Sequence, residues 1–203
     1  MKAYQRFGKT LGQLLFQLIP VAVGVYIGIL AGNWNDARHA KATQNQFLKT
    51  LCLELDENRK LLEGAAEYHE ILGQRIDSIR EIASEDDMNL SVLGSGSFGS
   101  FIEGWRGIMI PSLERSIYDT GILANALVGL DFATINRISK VYNLQESYRT
   151  FAAPILERLL NMDLNTTRKE ALLILSFITT DLNQMEFSLI QSYEQLMEYL
   201  KNH

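Results

Sequence analysis

The chain has 203 residues, 47% of them hydrophobic and 21% charged, with a formal net charge of −5. That length suffices for one domain with its own core, and the acidic balance argues against nucleic acid, whose phosphates need a clustered basic face. A single cysteine, Cys52, excludes an intramolecular disulfide and a thiolate metal cluster.

The charge is unevenly placed. Leu14 to Ala31 carries none, within an apolar stretch running from Leu11 to Gly32. About 20 helical residues span a hydrocarbon core of roughly 30 Å. Twelve Leu, Ile, Val or Phe residues between Leu11 and Leu30 favour insertion by about 4 to 7 kcal/mol in total. Gln13 and Gln17 oppose this but lie near the headgroups, and Pro20 kinks a membrane helix without forbidding it. Lys2, Arg6 and Lys9 flank one end, and Trp34 supplies an interfacial ring at the other. The stretch therefore reads as a transmembrane helix in contact with the lipid bilayer. A cleaved signal peptide would be shorter and carry a small-x-small site, which Ile29-Leu30-Ala31 matches poorly. The slight excess of basic residues before the span favours a cytoplasmic N-terminus, with the larger part of the chain on the far side.

Gly24, Gly28 and Gly32 recur every four residues and form a small-residue stripe along which another helix can approach closely. Beyond the span, residues 33–203 read as a helical domain with a loop near residues 85–111. A long helix is expected from about Asn33 to Ser84. Its seam is Leu48, Leu51, Leu55, Asn58, Leu62, Ala65, His69, Leu72, Ile76, Ile79 and Ala83, an alternation of three and four that marks a coiled coil or bundle. Asn58 and His69 interrupt the apolar seam and are candidates for setting register, His69 as a hydrogen-bonding core residue.

The loop contains Gly94-Ser95-Gly96-Ser97-Phe98-Gly99-Ser100, preceded by Glu85-Asp86-Asp87. Leu90 to Leu93 is a weak strand candidate. Phe98, Phe101, Trp105 and Ile108 to Ile110 form an apolar segment that either covers the bundle or docks on a partner or the bilayer. A helix is expected over Ser112 to Leu127. Another is capped by Asp131 and reaches about Leu160, with a kink or break at Pro154. A last helix opens at Asn165 or Thr166 and ends near Lys201, with the stripe Leu175, Ile178, Leu182, Met185, Leu189, Ser192, Leu196 and Tyr199. The expected fold is all-α: an N-terminal transmembrane helix continuing into the long helix of an antiparallel helical bundle.

Catalytic and metal constellations are thin. Glu63, Glu67, His69 and Glu70 lack the Glu-x-x-His spacing of a bundle di-metal site. Asp36 and His39 are only a pair. Ser95 and Ser97 have neither a nucleophile elbow nor a phosphate-binding lysine, and Glu85-Asp86-Asp87 lacks the ligand spacing of a calcium loop. No cofactor is expected.

Gly32-Asn33-Trp34-Asn35-Asp36-Ala37-Arg38, followed by Leu48, Leu51, Glu54, Leu55 and Asn58, resembles a family of uncharacterised bacterial single-pass membrane proteins carrying a domain of unknown function. In that family an apolar span runs into an Asn-Asn-Trp-Asn-acid-x-basic signature, from which Gly32 departs at the first Asn. Gly121, Leu130, Ile138 and Tyr142 are similar to a second patch of the family. The resemblance implies a bacterial inner-membrane protein with a helical domain, here expected in the periplasm, and implies no reaction. The resulting expectation is a non-enzymatic accessory or scaffold subunit of a membrane-associated assembly, as a homo-oligomer or with other membrane subunits. The alternative is a ligand-binding or sensor module that works through a separate signalling partner.

Overall fold

The computed structural model describes residues 20–94, 96 and 98–202, together with the helical course of the backbone from Lys2. Its described elements are helices in chain order: α1 (Lys2–Ile82), α2 (Glu85–Asn89), α3 (Phe98–Phe101), α4 (Ser116–Leu123), α5 (Phe132–Leu160), α6 (Arg168–Phe177) and α7 (Asn183–Lys201), with a π turn over Ile178–Leu182 joining the last two. The chain is all-α. The one strand-like pairing among the described residues is an isolated bridge, Ser91 to Thr167, whose first residue falls inside the weak strand candidate.

The chain divides into two compact units, residues 1–46 and 47–203. In the first, the side chains from Pro20 to Thr43 are all exposed. Among the described residues no helix is long and apolar enough to cross a membrane. Those residues hold the Leu11–Gly32 stretch only from Pro20 onward; Leu11 to Ile19, with Arg6 and Lys9, lie outside them.

The second unit is a bundle of α1 from Phe47 on, α5, and the α6–α7 pair. On α1 the seam is buried as its spacing predicts: Leu51, Leu55 and Leu62 have no exposed surface, and Leu72 and Ile76 only 1%. Side-chain pairings give the helix directions. Arg80 reaches Leu172, Asn183 reaches Ala66 and His69 meets Glu186, so α6–α7 runs antiparallel to α1. Thr134 meets Tyr199, and Tyr148 meets Glu186, so α5 is also antiparallel to α7. Helix α5 is therefore parallel to α1, and the α6–α7 pair runs antiparallel to both. The reason is the connection. Residues 105–115 have no regular secondary structure and carry the chain back along α1 before α5 begins.

Three local expectations change for physical reasons. The helix expected from Ser112 starts at Ser116, because the backbone of Leu113 and Glu114 bonds to Gln145 and Asn58 instead of forming a first turn. Helix α5 passes through Pro154 without breaking. The last helix begins later, where Thr167 caps it in a reciprocal capping box with Glu170. Asp131 caps α5 as its position predicts, its carboxylate accepting from the Thr134 N–H at 3.0 Å. Those bonds hold Asp131 below the ordinary carboxylate range.

Candidate functional site

The bundle buries an unusual set of polar side chains: Glu54, Asn58, His69, Gln145, Asn183 and Glu186. A buried polar group costs stability unless bonded, so their partners show what the arrangement does.

Most of them hold the returning segment, which lies along α1 as a strap. Asn58 Nδ2 donates to the Glu114 carbonyl at 2.7 Å, and the Glu114 N–H donates to Asn58 Oδ1 at 2.8 Å. Gln145 Nε2 also donates to the Glu114 carbonyl, at 3.0 Å, while its Oε1 accepts from Tyr193 at 2.9 Å. Tyr68 Oη donates to the Gly107 carbonyl at 3.0 Å and accepts from the Arg106 N–H at 3.1 Å. The Arg106 guanidinium lies 4.7 Å from the Tyr68 ring centre. Arg75 donates to the Glu103 carbonyl. As the α1 residue number rises, the strap number falls. From 54 to 75 the helix covers about 32 Å, so the strap is fastened along some six turns of α1.

At the strap's end Glu54 takes over helix capping. Arg115 occupies the N-cap of α4 but provides no capping bond. Instead the Glu54 carboxylate accepts from the Ile117 N–H, one of the orphan donors of the first turn, at 2.7 Å, and from Ser116 Oγ at 3.3 Å, from across the bundle. Its other oxygen accepts from Tyr142 Oη at 2.5 Å.

The deepest group joins three helices and the strap. His69 and Glu186 are fully buried, with His69 Nδ1 2.9 Å from Glu186 Oε2. Tyr148 Oη donates to Glu186 Oε1 at 2.9 Å, and His69 Nε2 lies 2.7 Å from the Ile108 carbonyl. A carbonyl only accepts, so Nε2 carries a proton. The Nδ1–Oε2 contact holds the other side of the ring. The strap backbone accommodates this grip with Gly107 at φ +95° and Met109 at φ +54°, left-handed positions beside Ile108.

Burial raises the phenols of Tyr142 and Tyr148 far above their ordinary value, reinforced by Glu54 and Glu186 respectively. Burial also raises Tyr193, again with help from Glu54. All three remain protonated donors or acceptors throughout ordinary pH.

Outside this network, Ile110, Pro111, Ser112 and Leu113 of the strap face Gln145, Tyr148, Arg149, Ala152, Ala153 and Leu156 of α5 across a cavity of about 210 Å³. Two wider hollows, of about 590 and 560 Å³, lie at α5–α6 and at α1–α7. The second includes Cys52, whose thiol burial pushes up.

The sequence candidates fall apart in space. A side chain added to Gly24, Gly28 or Gly32 would enter open space, and Trp34 is 71% exposed. Asn58 and His69 instead grip the strap. Glu63, Glu67 and Glu70 are exposed while His69 points inward, so they do not converge. No group of His, Cys, Asp or Glu able to hold a metal ion occurs among the described residues. The apolar segment Phe98, Phe101, Trp105, Ile108 and Ile110 packs against the core, Phe98 stacking on Trp105 with ring centres 4.9 Å apart. It covers the bundle. Sequence reasoning missed Glu54, Gln145, Asn183 and Glu186 as buried groups; the signal available was the three-and-four spacing they share with apolar neighbours.

No family model, curated protein or solved structure matches the chain.

Proposed function

We propose that this is a membrane-anchored helical protein that works by binding, as an accessory or scaffold subunit of an assembly at the bacterial inner membrane. The observation that carries the reading is the run of exposed apolar side chains in the first unit. Val21, Val25, Tyr26, Ile27 and Ile29 are each more than half exposed, and Trp34 follows. In water such a surface favours burial at about 25 cal/mol per Å². Together with Leu11 to Ile19 the run reaches the length of a bilayer span. The glycine stripe supplies a face for a second helix. The resemblance to single-pass membrane proteins rests on the Asn33-Trp34-Asn35 exit and agrees with this reading. In the second unit the buried His69–Glu186–Tyr148 group is closed to solvent and engaged in holding structure, which favours a binding role over catalysis.

The test expresses the full chain with a C-terminal tag, extracts the membranes with alkaline carbonate, and cross-links the protein in mild detergent. The expected result is retention in the extracted membrane, with oligomers or co-purifying subunits that Gly28→Leu diminishes. A soluble monomer would sink the proposal.

A second reading, a ligand-binding or sensor module acting through a signalling partner, is favoured by one observation: the α5–strap cavity, whose walls are already held in place by the strap's bonds.

A further inference from the structure

We infer that the cavity between the strap and α5 binds a small molecule with an aromatic or short aliphatic body and a single carboxylate. The inference rests on the ligand-binding reading and gives it a site and a chemical class.

The space exists for a local reason. Ala152 and Ala153 place only methyl groups on the α5 face opposite Ile110 and Pro111, and the strap cannot collapse onto them. Its backbone is pinned on both sides of the opening, at Ile108 by His69 and at Leu113 and Glu114 by Gln145. A cavity so braced is ready for a ligand and loses little freedom when one enters. At about 210 Å³ it exceeds the roughly 150 Å³ that accommodates benzene in an engineered protein cavity, so a single ring with a short tail fits. The walls are mostly aliphatic, with the Tyr148 ring as an edge on which an aromatic body can pack.

The charged end follows from Arg149 at the rim, whose side chain is 76% exposed. Its Nε and Nη2 bind Glu146 at 3.1 and 2.7 Å, which orients the guanidinium and leaves Nη1 available for a ligand carboxylate. Glu146 is shared with Arg115, whose Nη1 contacts it at 3.3 Å while its Nε pairs with Asp119 at 3.0 Å, so the anchor for the ligand is the open Nη1 edge of Arg149 and not a surplus of charge. Gln145 and Tyr148 are engaged with Glu114, Tyr193 and Glu186, so beside Arg149 the lining side chains offer a ligand only the Ser112 hydroxyl. One apolar body and one anionic group at the mouth is therefore the matching chemistry. Occupancy would also be felt inside the bundle, since Tyr148 is at once a wall of the cavity and a ligand of Glu186.

The test titrates the full chain in mild detergent with 3-phenylpropanoate and its neutral analogue 3-phenylpropanol, followed by calorimetry and by NMR of a 13C-labelled tyrosine sample. The acid is expected to bind saturably and shift the Tyr148 signal, assigned by its loss in Tyr148→Phe. Ala153→Phe, at an exposed helix position, should abolish binding with the apo melting temperature unchanged, and Arg149→Gln should weaken the acid at least tenfold while leaving the alcohol unaffected. Acid binding that survives Ala153→Phe would place the ligand elsewhere and overturn the inference. Equal binding of acid and alcohol would overturn the carboxylate class while keeping the cavity. Binding of neither would remove the ligand-binding reading together with the inference, leaving the membrane-scaffold reading standing.

Discussion

Replacing Glu186 by Leu keeps the side-chain size and removes the acceptor that two buried groups share. His69 Nδ1 and Tyr148 Oη, each 2.9 Å from the carboxylate, would face an aliphatic group in a site with no exposed surface. Each buried group left without its acceptor costs about 1 to 3 kcal/mol, so the imidazole and the phenol together cost about 4 kcal/mol. For a unit of this size each kcal/mol shifts the melting temperature by about 2 to 4 °C, so the expected loss is roughly 8 to 16 °C. Thermal unfolding of the full chain, followed by far-UV circular dichroism in mild detergent, measures it. The double variant Glu186→Leu with His69→Leu removes both members and should recover at least about 1 kcal/mol relative to additivity. A single variant within about 1 kcal/mol of the parent, or strict additivity in the double, would refute the view that this pair is a buried, mutually dependent bond.

Two further outcomes follow from the same packing. Tyr142, Tyr148 and Tyr193 have phenols raised above the value they hold when unfolded, so above about pH 10 the unfolded chain loses protons that the folded chain keeps. Their stabilisation is therefore complete below pH 10 and lost as pH rises, by about 1.4 kcal/mol per pH unit for each tyrosine. Denaturant unfolding between pH 9 and 11.5 should show Tyr148→Phe flattening that slope by one such increment; an unchanged slope would contradict the assignment. Gly121 packs against the Phe47 ring so closely that an added Cβ would overlap it. Gly121→Ala should destabilise by about 1 to 3 kcal/mol, and pairing it with Phe47→Leu should cost less than the sum of the two, as read by chemical denaturation.

How much of this was legible in the chain depends on whether the information is local. Helical periodicity is local: the α1 seam from Leu51 to Ile76 could be read directly, because residues three and four apart share a helix face whatever packs against it. Asp131 as a cap was legible for the same reason, since its bond reaches only three residues on. Toward the C-terminus Leu175, Ile178, Leu182, Leu189 and Leu196 are buried as the stripe predicts, and it is one position off at two places. Met185 and Ser192 took the places that Glu186 and Tyr193 occupy in the core, because a carboxylate is assigned to the surface unless its partners are known.

The partners themselves were not legible. Asn58, Tyr68 and His69 bind backbone groups of the strap, and every residue carries such groups, so no side-chain signal marks which will be used. Residues 112–115 have helical periodicity, yet Asn58 holds the Glu114 N–H and C=O and keeps them from forming a helical turn. The direction of α5 was hidden for the same reason: periodicity is unchanged when a helix is reversed, and only the path of the returning strap makes α5 parallel to α1. By itself the sequence determined an all-α chain, the helix faces that meet the core and an apolar N-terminal run. The tertiary structure decided which polar groups are buried, how they fasten the strap, and where a cavity remains, because each depends on contacts between residues dozens of positions apart.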